Sequence, residues 1–157
     1  MSYLEEVAAA SEFRRLAIGQ HCLALIAQRY EYAGELVEDA NVVYLQVADT
    51  QWLRFFFDSG YFFCRVEPKL TLAEFAEDEM RFTGVDLATQ HNLVGRRIEA
   101  AEFTELPDGA ELRLEFERGA TLVLRNAADH STVTIKTPVA ELAVAPDRRD
   151  VQGSHRD

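Results

Sequence analysis

A chain of 157 residues suits one compact domain, or two halves packed on a shared core, and an apolar fraction of 48% with 10 Phe provides the volume to fill it. Lys and Arg number 16 against 27 Asp and Glu, a net charge of −11. Such a surface repels phosphate backbones and anionic lipid headgroups, which argues against nucleic-acid and membrane partners and leaves a basic protein as the partner it favours. The excess is uneven, with a net −8 in residues 1–92 and −3 in the remainder.

The elements follow in chain order. Ser2-x-x-Glu5 is a capping box, and the good helix formers from Tyr3 to Ala10 predict a short N-terminal helix that extends toward Arg15. Nothing in the first residues resembles a basic n-region followed by an apolar run, so a cytoplasmic protein is expected. Gly19 interrupts the helix. Residues 20–30 fit helix or strand equally on local pattern. Val42–Val47, Trp52–Phe57 and Tyr61–Val66 are rich in strand formers and are separated by turn residues, Asp58-Ser59-Gly60 among them. Thr71-Leu72-Ala73-Glu74 is a second capping box. After it, Leu72, Phe75, Ala76, Met80 and Phe82 share one side of a helical projection, and Glu74, Glu77, Asp78 and Glu79 cover the other. An amphipathic acidic helix over residues 71–83, stopped by Gly84, is the expectation. Four more strands follow at about residues 96–103, 110–117, 120–125 and 131–136; in Glu111–Glu117 the alternation of Leu112, Leu114 and Phe116 with charged residues is strict. Residues 138–157 contain little that would pack and are expected to form a flexible tail.

Two halves of the chain can be laid over each other. Ile18–Cys22 corresponds to Val94–Ile98, and Leu53–Gly60 corresponds to Leu112–Gly119, each with an acidic-x-Gly turn. The wider glycine spacing in the first half fits an extra strand and loop near residues 31–47. The overlay makes residues 20–30 a strand. The expected fold is therefore α+β and β-dominated: two similar antiparallel β units, about 16–66 and 93–136, joined by helix 71–83 within one compact domain, 1–137.

No residue set carries a catalytic signature. None of His21, His91, His130 and His155 lies within metal-ligand spacing of another His or a Cys, and no phosphate loop, nucleophile elbow or zinc-protease motif is present. Neither catalytic nor metal residues, nor a cofactor, are assigned, and no enzymatic activity is expected. Cys22 and Cys64 lack CxxC spacing and read as buried thiols in a reducing compartment. Asp58 and Glu117, at turns equated by the overlay, read as turn residues holding backbone amides more readily than as a carboxylate pair. Two features remain as partner-binding candidates. One is the acidic group Glu74, Glu77, Asp78 and Glu79. The other is the aromatic stretch from Tyr44 to Phe63, in which Trp52 and Tyr61, with Asp58, flank a hairpin.

The unit Leu93–Ile98 followed by Glu111–Leu124, and the similar first half with Val43–Val47 and Trp52–Gly60, resembles small β domains found among immunity proteins of bacterial polymorphic toxin systems. The resemblance covers roughly residues 16–136. It implies tight binding and neutralisation of a toxin made by the same cell, with a basic toxin or effector domain as the partner. A secretion chaperone or adaptor is the alternative reading, and a small-molecule-binding or enzymatic β domain is the third.

Overall fold

The computed structural model describes residues 3–138; the tail expected at 138–157 lies, from residue 139 on, outside the described residues. Helix α1 (Tyr3–Ala17) opens the chain and ends in Arg14 and Arg15, where cations meet the negative end of the helix dipole. A four-strand meander follows: β1 (Ala24–Tyr32), β2 (Glu35–Ala48), β3 (Gln51–Asp58) and β4 (Tyr61–Glu67). After a short hairpin, β5 (Phe75–Glu77) and β6 (Met80–Asp86), comes α2 (Leu87–Gln90). A second meander is built from β7 (Ile98–Leu106), β8 (Gly109–Phe116), β9 (Thr121–Ala127) and β10 (His130–Lys136). The chain is thus β-dominated, with two antiparallel sheets of order β4-β3-β2-β1-β6-β5 and β10-β9-β8-β7.

The apolar faces of both sheets meet in one core. Leu25, Val43, Leu45, Leu53 and Phe55 come from the first sheet, Leu112, Leu114, Phe116, Leu122 and Leu124 from the second. The period-2 pattern legible in Glu111–Glu117 is the reason: alternate side chains leave opposite faces of a strand. Helix α1 inserts Phe13 between the sheets, edge-on to Phe55 at 4.8 Å and to Phe62 at 5.5 Å.

The segments equated by the overlay pair with each other. His21 and Arg97 form an antiparallel bridge. Around it, Gly19 N–H donates to the Ile98 carbonyl (2.8 Å) and Gly95 N–H to that of Cys22 (2.7 Å). Cys22 N–H donates to the Arg96 carbonyl (2.8 Å) and Ile98 N–H to that of Gln20 (2.8 Å). Exchanging Gly19–Cys22 for Gly95–Ile98 maps these four bonds onto one another, a local twofold through the bridge. Both glycines hold nearly the same left-handed φ, +89° and +88°. Each unit is then a helix, a glycine, the bridge and a four-strand meander.

The second half of the overlay needs correction. Trp52–Phe57 lies in the third strand of its meander, whereas Leu112–Phe116 lies in the second, so the equivalent of turn Ser59-Gly60 (φ +52°, +81°) is Ala128-Asp129 (φ +52°, +64°), not Glu117–Gly119. The strand expected near 31–47 is β2 (Glu35–Ala48), and the wider spacing reflects three strands between Gly19 and Gly60 against two between Gly95 and Gly119; it is not an addition to the first unit, since each meander has four strands. Asp58 and Glu117 therefore sit at opposite ends of their units. Glu117 accepts the Arg97 N–H at 2.8 Å, which holds its carboxyl below the usual carboxylate range.

The helix expected at 71–83 is replaced by the β5–β6 hairpin, and reach explains why. β4 and β5 lie at opposite edges of the six-stranded sheet. Residues 68–74 must cross five inter-strand gaps of roughly 4.8 Å, about 24 Å, and extended chain at roughly 3.3 Å per residue just covers it; a helix starting at 71 would advance only about 1.5 Å per residue. The crossing forms a strap over the outer face of the sheet. Leu70 and Leu72 pack on Val42, Tyr44 and Trp52 in a second small core. Gln28 donates to the Ala73 carbonyl at 3.2 Å, and Glu74 accepts the Gly84 N–H at 2.7 Å. Gly84, read as a helix stop, is instead the strand position over which Leu72 passes, where a Cβ would lie 2.5 Å from the leucine side chain.

Candidate functional site

Both meanders start at the bridge, so their first and third turns point away from it. Ala33-Gly34, Ser59-Gly60 and Asp78-Glu79 share one end of the six-stranded sheet, and Pro107-Asp108 and Ala128-Asp129 the corresponding end of the other. At this distal end the sheets are tied by polar contacts. Asn126, 3% exposed, accepts the Gly60 N–H at 3.0 Å through Oδ1 and donates to Ser131 Oγ at 3.1 Å. Glu38 accepts the Ser131 N–H at 2.7 Å and Asp39 the Val133 N–H at 3.1 Å, while His130 Nδ1 lies 3.0 Å from the other Glu38 oxygen. These carboxylates occupy donors of β10 that a sheet edge would otherwise present to solvent.

Two surfaces lie at the distal end. The first is the joined tip of the β1–β2 and β5–β6 hairpins, held by Ala33 N–H donating to the Glu79 carbonyl at 2.9 Å. Tyr32 pairs with Met80 across the strands, and both are exposed (47% and 37%) on one face of the tip; Leu36 (48%) pairs with Glu31, one position along, and so lies on the opposite face in the same row as Arg81. Glu35, paired with Tyr32, and Glu77, paired with Met80, flank them on that face, and Asp78 and Glu79 form the adjoining turn. Behind it, Tyr30, Phe82 and Phe75 stack across three strands with centroids 4.8 Å apart at each step.

The second surface is a cleft of about 840 Å³ between the N-terminal half of α1, the β3–β4 turn and the last residues of β7. Its apolar wall includes Phe57, Phe62 and Phe103. Arg14 enters from α1, with Nε donating to the Ala101 carbonyl at 3.0 Å and its guanidinium 4.9 Å over the Phe103 ring. Glu105, Asp108 and Asp129 line it as well, so its charged lining among the described residues is mainly acidic.

The residues singled out from the sequence divide among these places. Glu77, Asp78 and Glu79 stand together at the hairpin tip, though on a turn and not on a helix face. Tyr61, 43% exposed, lines the cleft, with Asp58 beside it at the exposed β3–β4 turn. Glu74 belongs to the end of the strap and completes the hydrogen bonding of β6. Trp52 is 8% exposed beneath the strap, at the opposite end of its sheet from the tip, and is core. The sequence does not mark Arg14, Glu38 or Asp39, because nothing local identifies a residue whose partner is about 90 positions away.

Burial pushes the thiols of Cys22 and Cys64 up to about 12, with nearby Asp86 and Glu12 charges adding to it. At neutral pH both are protonated and weak nucleophiles. Among the described residues no group of three or more His, Cys, Asp or Glu side chains is placed to hold a metal ion, and no helix is long and apolar enough to cross a membrane. No family model, curated protein or solved structure matches the chain.

Proposed function

We propose that the protein is a cytoplasmic binding protein that docks a basic protein domain on the hairpin tip and, like the immunity proteins it resembles, neutralises a toxin in this way. One observation carries the reading. Glu35 and Glu77 flank exposed Tyr32 and Met80 on one face at the end of the sheet, and Asp78 and Glu79 form the adjoining turn. An apolar, aromatic centre within a charged rim is the composition of a protein interface. The field of the rim speeds encounter with a positive partner and sets its orientation. Against a nuclease, these side chains would occupy the groove meant for phosphates.

The test is co-expression with the toxin domain encoded by the adjacent gene. A stable complex and protection from toxicity are expected. The variant Glu77→Lys, Asp78→Lys, Glu79→Lys should associate at least about tenfold more slowly at low salt, with a weaker salt dependence. Unchanged affinity in this variant, or no complex at micromolar concentration, overturns the reading. Binding that leaves the partner's activity intact would indicate an adaptor.

A further inference from the structure

We propose that the open edge of β7 in the distal cleft takes an extended, basic segment of a partner protein as an added strand. This surface is separate from the hairpin tip and does not depend on the partner being a toxin.

The register sets which groups are available. Leu106 and Gly109 close the two-residue β7–β8 turn, so alternate residues before them, Glu105, Phe103 and Ala101, direct their N–H and C=O away from β8. β7 is the last strand of its sheet. Arg14 Nε takes the Ala101 carbonyl, which confirms the parity and ends the open stretch on that side. Among the described residues, the outward main-chain groups of Phe103 and Glu105 have no partner. The other end of the same sheet is treated differently: Glu38 and Asp39 take the Ser131 and Val133 N–H groups of β10. One edge is capped by side chains, and the other opens on a cleft.

The cleft fits the side chains of such a strand. A segment paired with Phe103 and Glu105 would direct alternate residues toward Phe57, Phe62 and the Phe103 ring, an apolar wall. Glu105, Asp108 and Asp129 line the same space against Arg14, the one cation among its described lining residues, whose guanidinium is already engaged by Ala101 and Phe103. The complement is a segment alternating apolar residues with Lys or Arg. Main-chain hydrogen bonds would supply affinity and the acidic lining the choice of sign.

The probe is a short fluorescein-labelled peptide of alternating Val and Lys, with a Val–Glu peptide as its counterpart. Amide hydrogen exchange of Phe103 and Glu105 should be fast in the free protein and slow with the Lys peptide, and the Glu peptide should not bind. Glu105→Pro removes one outward donor at an edge position where proline is tolerated, and should weaken the Lys peptide at least about tenfold. The hairpin-tip triple variant should bind it as wild type does, which separates this edge from the tip. Binding without protection of these two amides, or equal affinity in a folded Glu105→Pro variant, overturns the proposal. Should that variant not fold, exchange in the wild type decides alone. Protection already present in the free chain would mean that residues 139–157 or a second copy holds the edge, and would also overturn it.

Discussion

Replacing Asn126 by Ala cuts the tie between the two sheets at the distal end. The side chain is almost fully buried and makes two hydrogen bonds, one from Gly60 N–H and one to Ser131 Oγ. The variant leaves a partly buried amide and a buried hydroxyl without partners. Each orphaned group costs about 1–3 kcal/mol, so a loss of about 2–6 kcal/mol is expected. That is a large share of the roughly 5–15 kcal/mol by which a domain is stable. Urea unfolding at 25 °C should show a lower midpoint with an unchanged slope. Ser131→Ala alone removes the hydroxyl but leaves the Gly60 contact, so the double variant should lose less than the sum of the two, with a coupling of about 1 kcal/mol. A loss below about 1 kcal/mol in Asn126→Ala, or additivity within about 0.3 kcal/mol, would refute the role given to this residue.

Gly109→Ala should be worse still, because its Cβ would fall 1.8 Å from the Asn126 carbonyl oxygen, a backbone atom of the adjacent strand; a loss above about 3 kcal/mol is expected, and a stability near wild type would contradict the packing of β8 on β9. Glu38→Ala with Asp39→Ala uncovers the Ser131 and Val133 N–H groups; about 1–3 kcal/mol should be lost, with light scattering rising at high concentration, and neither change would mean that β10 needs no cap. The two thiols predict a pH dependence. Their folded-state values lie above the ordinary thiol value of 9.0, so their contribution is fully present below about pH 9 and is lost as pH rises toward about 12. Stability should fall over that alkaline range, and by less in the Cys22→Ala, Cys64→Ala variant; equal slopes would contradict it.

The strands were legible where alternation was strict, as in Glu111–Glu117, and where strand formers met turn residues, as at Asp58–Gly60. The correspondence of Gly19 with Gly95 was legible too, although its meaning, that the equivalent segments pair with each other, was not. The 71–83 segment failed for a definite reason. Phe75 and Phe82 are seven residues apart, which places them on one face of a helix. The same spacing, folded about Asp78-Glu79, makes them cross-strand neighbours. Only the distance from β4 to β5 decides between the two, and that distance is a property of the sheet. The acidic residues at the tip could be picked from composition, but the apolar centre between them depends on Tyr32 meeting Met80, about 50 positions away.

The symmetric bridge has a consequence for assembly. Its two segments are nearly interchangeable in hydrogen bonding, so neither distinguishes its own partner from the same segment of another molecule. While a chain is being made, Gly19–Cys22 emerges long before Gly95–Ile98, and for that interval its edge can be satisfied by the second unit of a neighbour. Exchanged dimers that trade whole meanders are therefore the natural by-product of refolding at high concentration. By the same reasoning, two fragments cut between β6 and the second meander, made together, should find each other and restore the fold, since the joint between them is built from the chain's own repeat.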